Sequence, residues 1–407
     1  MTYDLRKTTS PSGAPKSAHI AIVGAGLSGS LAAVVLARAG HRVTLIDKHA
    51  VCPKQFRVEK IAGSQIDLMR KFGVIDAIAR EATPFYDTLN VRAGHVVDRT
   101  QGSHFGIFYD DIVRIVRTQI PASVDFIVDD VRDIQTSPQL QHVDLANHGP
   151  ITPDLVIMAT GVADSLLHKI GIGRRIVAEK QSISFGLTLA SRAKQAPAFQ
   201  SLTYYGAGVS NRIDYLTLFP IAGFLRANLF TYLDHDDPWI REFRRNPMKE
   251  LFESLPGLAR SIGDMEPVDR VQNWVMDLSA AENVNQDGIV LIGDAFQTSC
   301  PATGMGVTRL TTDIDRLCNI LIPRWTETSG MGREKIKDFY SDPIKQATDT
   351  DALRQARHRR SFTINRGLRW QFYRQRHFMR RRIAGWFDRT DACQPAIPNH
   401  AGASRSA

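Results

Sequence analysis

Several things are scarce in this chain of 407 residues. Four cysteines, Cys52, Cys300, Cys318 and Cys393, are scattered and form no CxxC pair. Neither a disulfide framework nor a zinc site is expected, and the thiols read as reduced ones in a cytosolic protein. No apolar run reaches the roughly 18–20 residues that a membrane span requires. The opening stretch, MTYDLRKTTSPSGAPKSA, is polar and lacks the apolar core of a signal peptide. Residues 1–18 are therefore expected to be a disordered lead, and the cytoplasm is the default location. His104, His142, His148 and His235 are isolated, with no metal-ligand spacing to another His, Cys or acid, so no metal is assigned. No internal repeat is evident. The remaining composition, 43% hydrophobic and 23% charged, is that of a globular protein. It suits two domains or one composite one, with a core that needs no cross-links.

Acids are absent from one long stretch. Arg354 to Arg389 holds twelve arginines, no lysine and a single acid, Asp388. The net charge of +9 is thus +11 in this segment and −2 elsewhere. Leu368, Phe372, Met379, Ile383 and Trp386 recur near helical spacing within it. Three readings stay open for 354–387. It could pack on the body with a solvated cationic face, lie on an anionic membrane surface, or bind a protein or nucleic acid. The body has no other nucleic-acid signature, so a nucleic-acid partner is not expected.

The pattern elsewhere is that of an α/β protein. His19–Val23 reads as a buried strand, Leu31–Ala39 as a helix ending at Gly40, and Arg42–Asp47 as a second, parallel strand. One helix is expected over 61–81, from the spacing of Ile66, Met69, Phe72 and Ile75. A strand, a helix at 110–119 and a strand at 124–128 follow, then a buried strand at 154–159. Residues 184–189, 202–205, 215–219 and 227–232 alternate as antiparallel strands, 238–263 is helical, and 271–276 is a strand. Ile289–Asp294 returns to the parallel style. The expected organisation is a discontinuous Rossmann-like nucleotide domain (19–181 and 285–325) with an inserted antiparallel-sheet substrate domain (182–284). A helical basic extension (326–390) and a disordered tail (391–407) complete it.

Two glycine signatures carry the chemistry. In Gly24-Ala-Gly26-Leu27-Ser28-Gly29 the first glycine makes the tight turn and the second lets backbone approach phosphate. The third lets helix and strand pack closely. Pyrophosphate would sit on the helix N-terminus, with Asp47 accepting from the adenosine ribose. About 270 residues on comes Gly293-Asp294-Ala-Phe-Gln-Thr-Ser-Cys-Pro301-Ala-Thr-Gly304-Met305-Gly306. Asp294 is placed to accept from a polyol, Pro301 stiffens the loop, and Gly304 and Gly306 let the chain pass beneath a flat ring. Val307, Leu310, Ile314, Leu317 and Leu321 share one helical face, so a positive helix end points at that ring. Together the two signatures indicate the two ends of one FAD site.

These paired motifs resemble the FAD-dependent monooxygenases of the para-hydroxybenzoate hydroxylase type, the group A aromatic hydroxylases, over residues 19–325. The resemblance implies FAD contacts at Gly24, Gly26, Leu27, Ser28, Gly29, Asp47, Lys48, Asp294, Pro301, Gly304, Met305 and Gly306, with Arg57 and Val131 as further candidates. It implies NADH or NADPH as electron donor, and O₂ activation through a flavin C4a-hydroperoxide that oxygenates an organic, aromatic molecule. Two positions depart from the family. Thr160 stands where many members have the Asp of an Asp-Gly pair, and Gln297 stands where GDAAH has His. The first leaves a separate flavin reductase open as the electron source. A reductase or dehydrogenase of an unsaturated lipid, resembling the geranylgeranyl reductases, is the alternative enzyme. A flavin-stabilised binding protein without turnover is the non-enzymatic one. The Trp-x-Trp-x-Ile-Pro stretch of the tryptophan halogenases is missing. Cys300 reads as a small buried thiol filling space, and Tyr204, Tyr205, Arg212 and Tyr215 as ordinary strand residues, one of which could orient a phenol. No catalytic base is assigned.

Overall fold

Short runs of β-branched residues pair side by side into a five-stranded parallel sheet. Its order is Ile289–Leu291, Leu155–Met158, His19–Val23, Arg42–Asp47 and Asp125–Val128. Both faces of the first four are covered, which is why those runs are mostly apolar rather than alternating, while Asp125–Val128 is an exposed edge. Ile20, Ile22 and Leu45 pack against the helix Leu27–Arg38 and its neighbours, while Ala21, Val23 and Ile46 pack against Leu145, Leu167 and Ile172. The computed structural model describes residues 17–193 and 197–391, the last six as backbone alone. The lead at 1–16, Cys393, the tail beyond 391 and the side chains of Trp386, Phe387, Asp388 and Arg389 lie outside what is described.

A nine-stranded, largely antiparallel sheet stands beside the first. Gly173–Ser191, Ser201–Tyr205, Ile213–Ile221, Phe224–Thr231 and Gln272–Glu282 form its centre, and Lys60–Ala62, Thr83–Arg92 and His95–Gly106 extend it. Three of its strands therefore come from 60–106, ahead of the 182–284 segment. The period of two sorts its side chains. Phe185, Leu187, Leu216, Leu218, Ala227 and Leu229 face the helices of 238–262 and form one core. Ser184, Tyr215, Thr217, Asn228 and Phe230 point the other way, into a cavity.

The segment 61–81 differs from the single helix its spacing predicts. It is a short strand, then Ser64–Lys71 and Ile75–Glu81, separated where Gly73 takes φ +72°. The left-handed residue breaks the helix while the apolar spacing carries on across it.

Three helices end the described residues: Arg333–Tyr340, Pro343–Ile364 and Leu368–Asp391. Asp342 caps the second, accepting from the amides of Ile344 and Lys345, both at 3.0 Å. Lys345 is fully buried, and its ammonium donates to Asp313 at 2.9 Å and Asp349 at 3.0 Å. The other oxygen of Asp313 accepts from the amide of Gly293 at 2.9 Å. Asp349 in turn pairs with Arg309 at 2.7 Å, and Arg309 donates to the carbonyl of Gln297. Replacing Lys345→Met strands Asp313 without its counter-ion and leaves Asp349 to Arg309 alone. Chemical denaturation should show a loss of about 3–5 kcal/mol, the cost of breaking one partner out of a buried ion pair.

Candidate active site

All the turns implicated by sequence lie at the carboxyl ends of the parallel strands, where open α/β sheets bind ligands. Gly24 follows His19–Val23, Lys48 follows Arg42–Asp47, Thr160 follows Leu155–Met158, and Asp294 follows Ile289–Leu291. They open onto a cavity of about 820 Å³, at the large end of small-molecule sites. Of the fourteen expected contact residues, twelve line it. Gly29 and Met305 do not. Gly29 sits inside the first helix, where a Cβ would come 1.9 Å from the Gly24 carbonyl oxygen, so it lets the helix close on its own loop. Met305 opens the helix Met305–Arg316.

The loop is tightly built. A Cβ on Gly24 would stand 2.5 Å from the Ala159 carbonyl oxygen, and its φ of +99° disfavours any side chain. Asp47 accepts from the amide of Ala25 at 2.6 Å and that of His49 at 2.8 Å. Each of its oxygens keeps a lone pair for a further donor. Two residues that the sequence reading missed complete the frame. Arg117 donates twice to the Ala25 carbonyl, at 3.0 and 2.7 Å, and once to that of Ala50 at 2.8 Å. Tyr109 brings its hydroxyl to 3.4 Å from the Leu27 amide. Both lie on one helix, Tyr109–Thr118, eight residues apart, a spacing that puts them near one face.

Two helix N-termini meet the cavity without an acid in their first turn, those starting at Leu27 and at Met305. The first has extended Gly26 as its N-cap and no side-chain cap. Such ends present unpaired amides and a positive dipole to an anion. At Gly304 and Gly306 a Cβ would meet nothing within 4 Å, which leaves open space beside the second helix. Asp294 lies between the two ends. Loss of solvent raises its carboxyl above the usual carboxylate range, with Arg309, Arg57 and Arg174 pulling the other way. Arg174 also fixes the turn, donating to the carbonyls of Asp294 at 3.3 Å and Ala295 at 3.0 Å. Arg57 lies 3.8 Å from Asp294 and stacks 3.7 Å over the Trp274 ring. Val131 borders the far end, beside Asp129 and Asp130.

Past Asp294 and Pro301 the cavity reaches the antiparallel sheet, whose wall includes Tyr215, Phe219, Phe230, Trp274 and Met276. The polar groups on this wall are few. Asn228 donates to Glu59 at 3.0 Å, and Glu59 is held by Arg226 through two bonds of 2.8 and 2.9 Å. The Asn228 side-chain oxygen and the Ser184 hydroxyl remain buried, without a partner among the described residues. Of the four strand candidates, only Tyr215 reaches the cavity, and its hydroxyl donates to the Ala302 carbonyl at 2.7 Å. Tyr204 bonds to Pro256 and Gly94, Tyr205 to Arg381, and Arg212 to Asp234. Cys300 is wholly buried, packed with Phe230, Tyr232 and Leu278, and its burial raises the thiol's pKa.

Residues 17–348 match the family model described as FAD binding domain. The chain belongs to this family. Its two helix ends without a side-chain cap, open space at Gly304 and Gly306, and Asp294 on the same cavity suit FAD: Gly24–Ser28 would hold the pyrophosphate, Asp47 the ribose and 294–306 the ribityl chain and ring. Kynurenine 3-monooxygenase of Flavobacterium johnsoniae is 22% identical over 375 residues, covering 84% of this chain and 80% of its own. The crystal structure of p-nitrophenol 4-monooxygenase from Pseudomonas putida superposes with a TM-score of 0.73 at 16% identity, over 91% of this chain and 94% of that one. A halogenase, PltM, in complex with phloroglucinol and FAD, has a TM-score of 0.65 at 13% identity, over 83% and 75%. Among the described residues no helix is long and apolar enough to cross a membrane.

The structure gives a physical account of Gln297. Its amide side chain donates to the Asp349 carbonyl at 3.1 Å and its own carbonyl accepts from Arg309, so the position is part of the buried ionic frame. Gly26 offers a clean test of the pyrophosphate end. A Cβ there meets only the Tyr109 hydroxyl, at 3.1 Å, so Gly26→Ala should fold normally. Displacing one charged hydrogen bond costs about 1.5–3 kcal/mol. FAD titration should therefore show affinity reduced roughly 10–100-fold.

Proposed function

We propose that this protein is an FAD-dependent monooxygenase that inserts one oxygen atom from O₂ into a small aromatic molecule. One observation carries the reading: a single cavity joins the dinucleotide loop, Asp294 and the 301–306 glycines to an aromatic wall on the second sheet. A cofactor seated along the first part has its ring end facing that wall. Reduced FAD supplies the activation of O₂, and the protein supplies the surroundings. The N-terminus of the helix Met305–Arg316 favours negative charge on the adjoining ring. Tyr215, Phe219, Phe230 and Trp274 exclude water and offer flat surfaces to an aromatic substrate. Ser184 and Asn228 offer it a donor and an acceptor that no other described residue uses. The names of the relatives, kynurenine 3-monooxygenase and p-nitrophenol 4-monooxygenase, support an aromatic substrate. In this reading the substrate domain draws on 60–106 as well as 182–284.

NADH or NADPH is the proposed donor, used directly or through a separate flavin reductase. The second route rests on Thr160, which lines the cavity where many relatives carry an acid. Purified protein should show a flavin spectrum, and aromatic candidates should stimulate NAD(P)H and O₂ consumption together. A yellow protein active only with an added reductase supports the second route. Flavin reduction and turnover without O₂ uptake overturn the monooxygenase reading.

Ser184→Ala separates substrate binding from folding. The hydroxyl has no partner to lose, so stability should hold or rise. If that hydroxyl meets the substrate, losing one hydrogen bond raises KM by about 2–10-fold, with the FAD content unchanged.

A further inference from the structure

The terminal helix Leu368–Asp391 docks by one face and leaves an apolar stripe on the opposite one. Docking is specific. Arg381 grips Asp98 with bonds of 2.6 and 2.7 Å and reaches the Tyr205 hydroxyl at 2.8 Å. Phe378 is buried, edge-on to the Tyr205 ring at 5.3 Å, with Arg92 stacked 4.4 Å above it. A Cβ on Gly385 would fall 2.9 Å from that of Asp98, so the backbone itself lies against the sheet. Arg374 ties the helix to the preceding turn through the carbonyls of Phe362 and Asn365. These contacts fix the helix's rotation.

What faces outward is therefore set by the fold. Leu368, Phe372, Met379 and Ile383, spaced by four, seven and four residues, share one side. Their exposures are 82%, 64%, 61% and 50%. The arrangement reverses the solvated-cationic-face reading of the sequence, since these apolar side chains point away from the body. Arg369, Arg376 and Arg380 run along one flank and Arg382 along the other, all exposed. The ion pairs of the segment involve Arg354, Arg359 and Arg381 instead. No acid lies between Arg354 and Phe387 to neutralise the flanking charges.

We infer that this stripe is a docking surface for an anionic lipid bilayer, on which the helix lies in the interface plane. An apolar ridge flanked by arginines matches acyl chains beneath acidic headgroups, and from Leu368 to Ile383 the helix presents about 23 Å of such surface. A second copy of the chain would set arginine flank against arginine flank. A nucleic acid would meet aliphatic Leu368, Met379 and Ile383, which give its bases nothing to stack on. Because Asp98 and Tyr205 anchor the helix, the docked orientation brings the antiparallel sheet's side of the molecule to the membrane. The inference is independent of the reaction proposed above.

The test is co-sedimentation of the FAD-loaded protein with vesicles of mixed phosphatidylglycerol and phosphatidylcholine, against phosphatidylcholine alone. The wild type should pellet with the acidic vesicles and be released by salt. Phe372→Ser combined with Met379→Ser should weaken partition at least about tenfold. Arg376→Gln with Arg380→Gln should weaken it roughly 25-fold on the acidic vesicles alone. All four side chains lie outside the cavity, so the flavin content of both variants should match the wild type. The inference is overturned if the wild type stays in the supernatant with acidic vesicles, or if the apolar variant pellets as well as the wild type. A dimer that the apolar variant dissociates, with no vesicle binding, also overturns it and assigns the stripe to a second copy.

Discussion

A single buried ammonium holds together the parts of this molecule that do not share a sheet. Lys345 comes from the helical extension, Asp313 from the helix after the second glycine loop, and Asp313 in turn holds the Gly293 amide. Asp349 and Arg309 close the circuit back to Gln297. Burying such charges costs several kcal/mol per ion before their attraction is counted, so the network is poor evidence of net stability. What it specifies is position. The turn carrying Asp294 cannot shift without unpairing a charge in a region that water does not reach. The extension at 343–364 is thus part of the frame of the site, although it adds no wall to the cavity.

The second sheet is organised by alternation. Its strands bury Leu, Ile and Phe toward one set of helices and turn every second residue toward the cavity. A one-residue slip would exchange the two sets, which ties the register of four strands to the chemistry of the cavity wall. Glu59, on the cavity lining, is paired with Arg226, and Asn228 donates its side-chain amide to Glu59 while its oxygen has no partner among the described residues. A satisfied charge pair thereby orients an unsatisfied polar atom.

The glycine signatures were legible because their chemistry depends on local backbone: positive φ at Gly24 and Gly304, and no room for a Cβ at Gly24 or Gly29. The parallel strands were legible from composition. Other parts depend on contacts distant in sequence. Tyr109 and Arg117 serve the Gly24 loop from more than eighty residues away, and nothing beside them says so. Ser184, Asn228 and Trp274 carry no motif, although the period of two groups Tyr215 with Thr217 and Phe219 once one of them is placed. The stripe at 368–383 was visible as amphipathicity, but its direction was not, because Arg381 and Phe378 decide which face docks. Helical spacing also ran straight through Gly73, where the backbone turns.

The two departures from the family pattern have different physical weight. Gln297 is buried, bonded through side chain and backbone, and serves the frame. Thr160 lies on the cavity wall, and its backbone adjoins Gly24 closely enough that a Cβ on the glycine would stand 3.2 Å from the Thr160 Cα. In the reading proposed above, a carboxylate at 160 would add negative charge beside the loop that would receive the pyrophosphate. Threonine keeps a hydroxyl there, near the Ala163 carbonyl at 3.4 Å, and removes the repulsion.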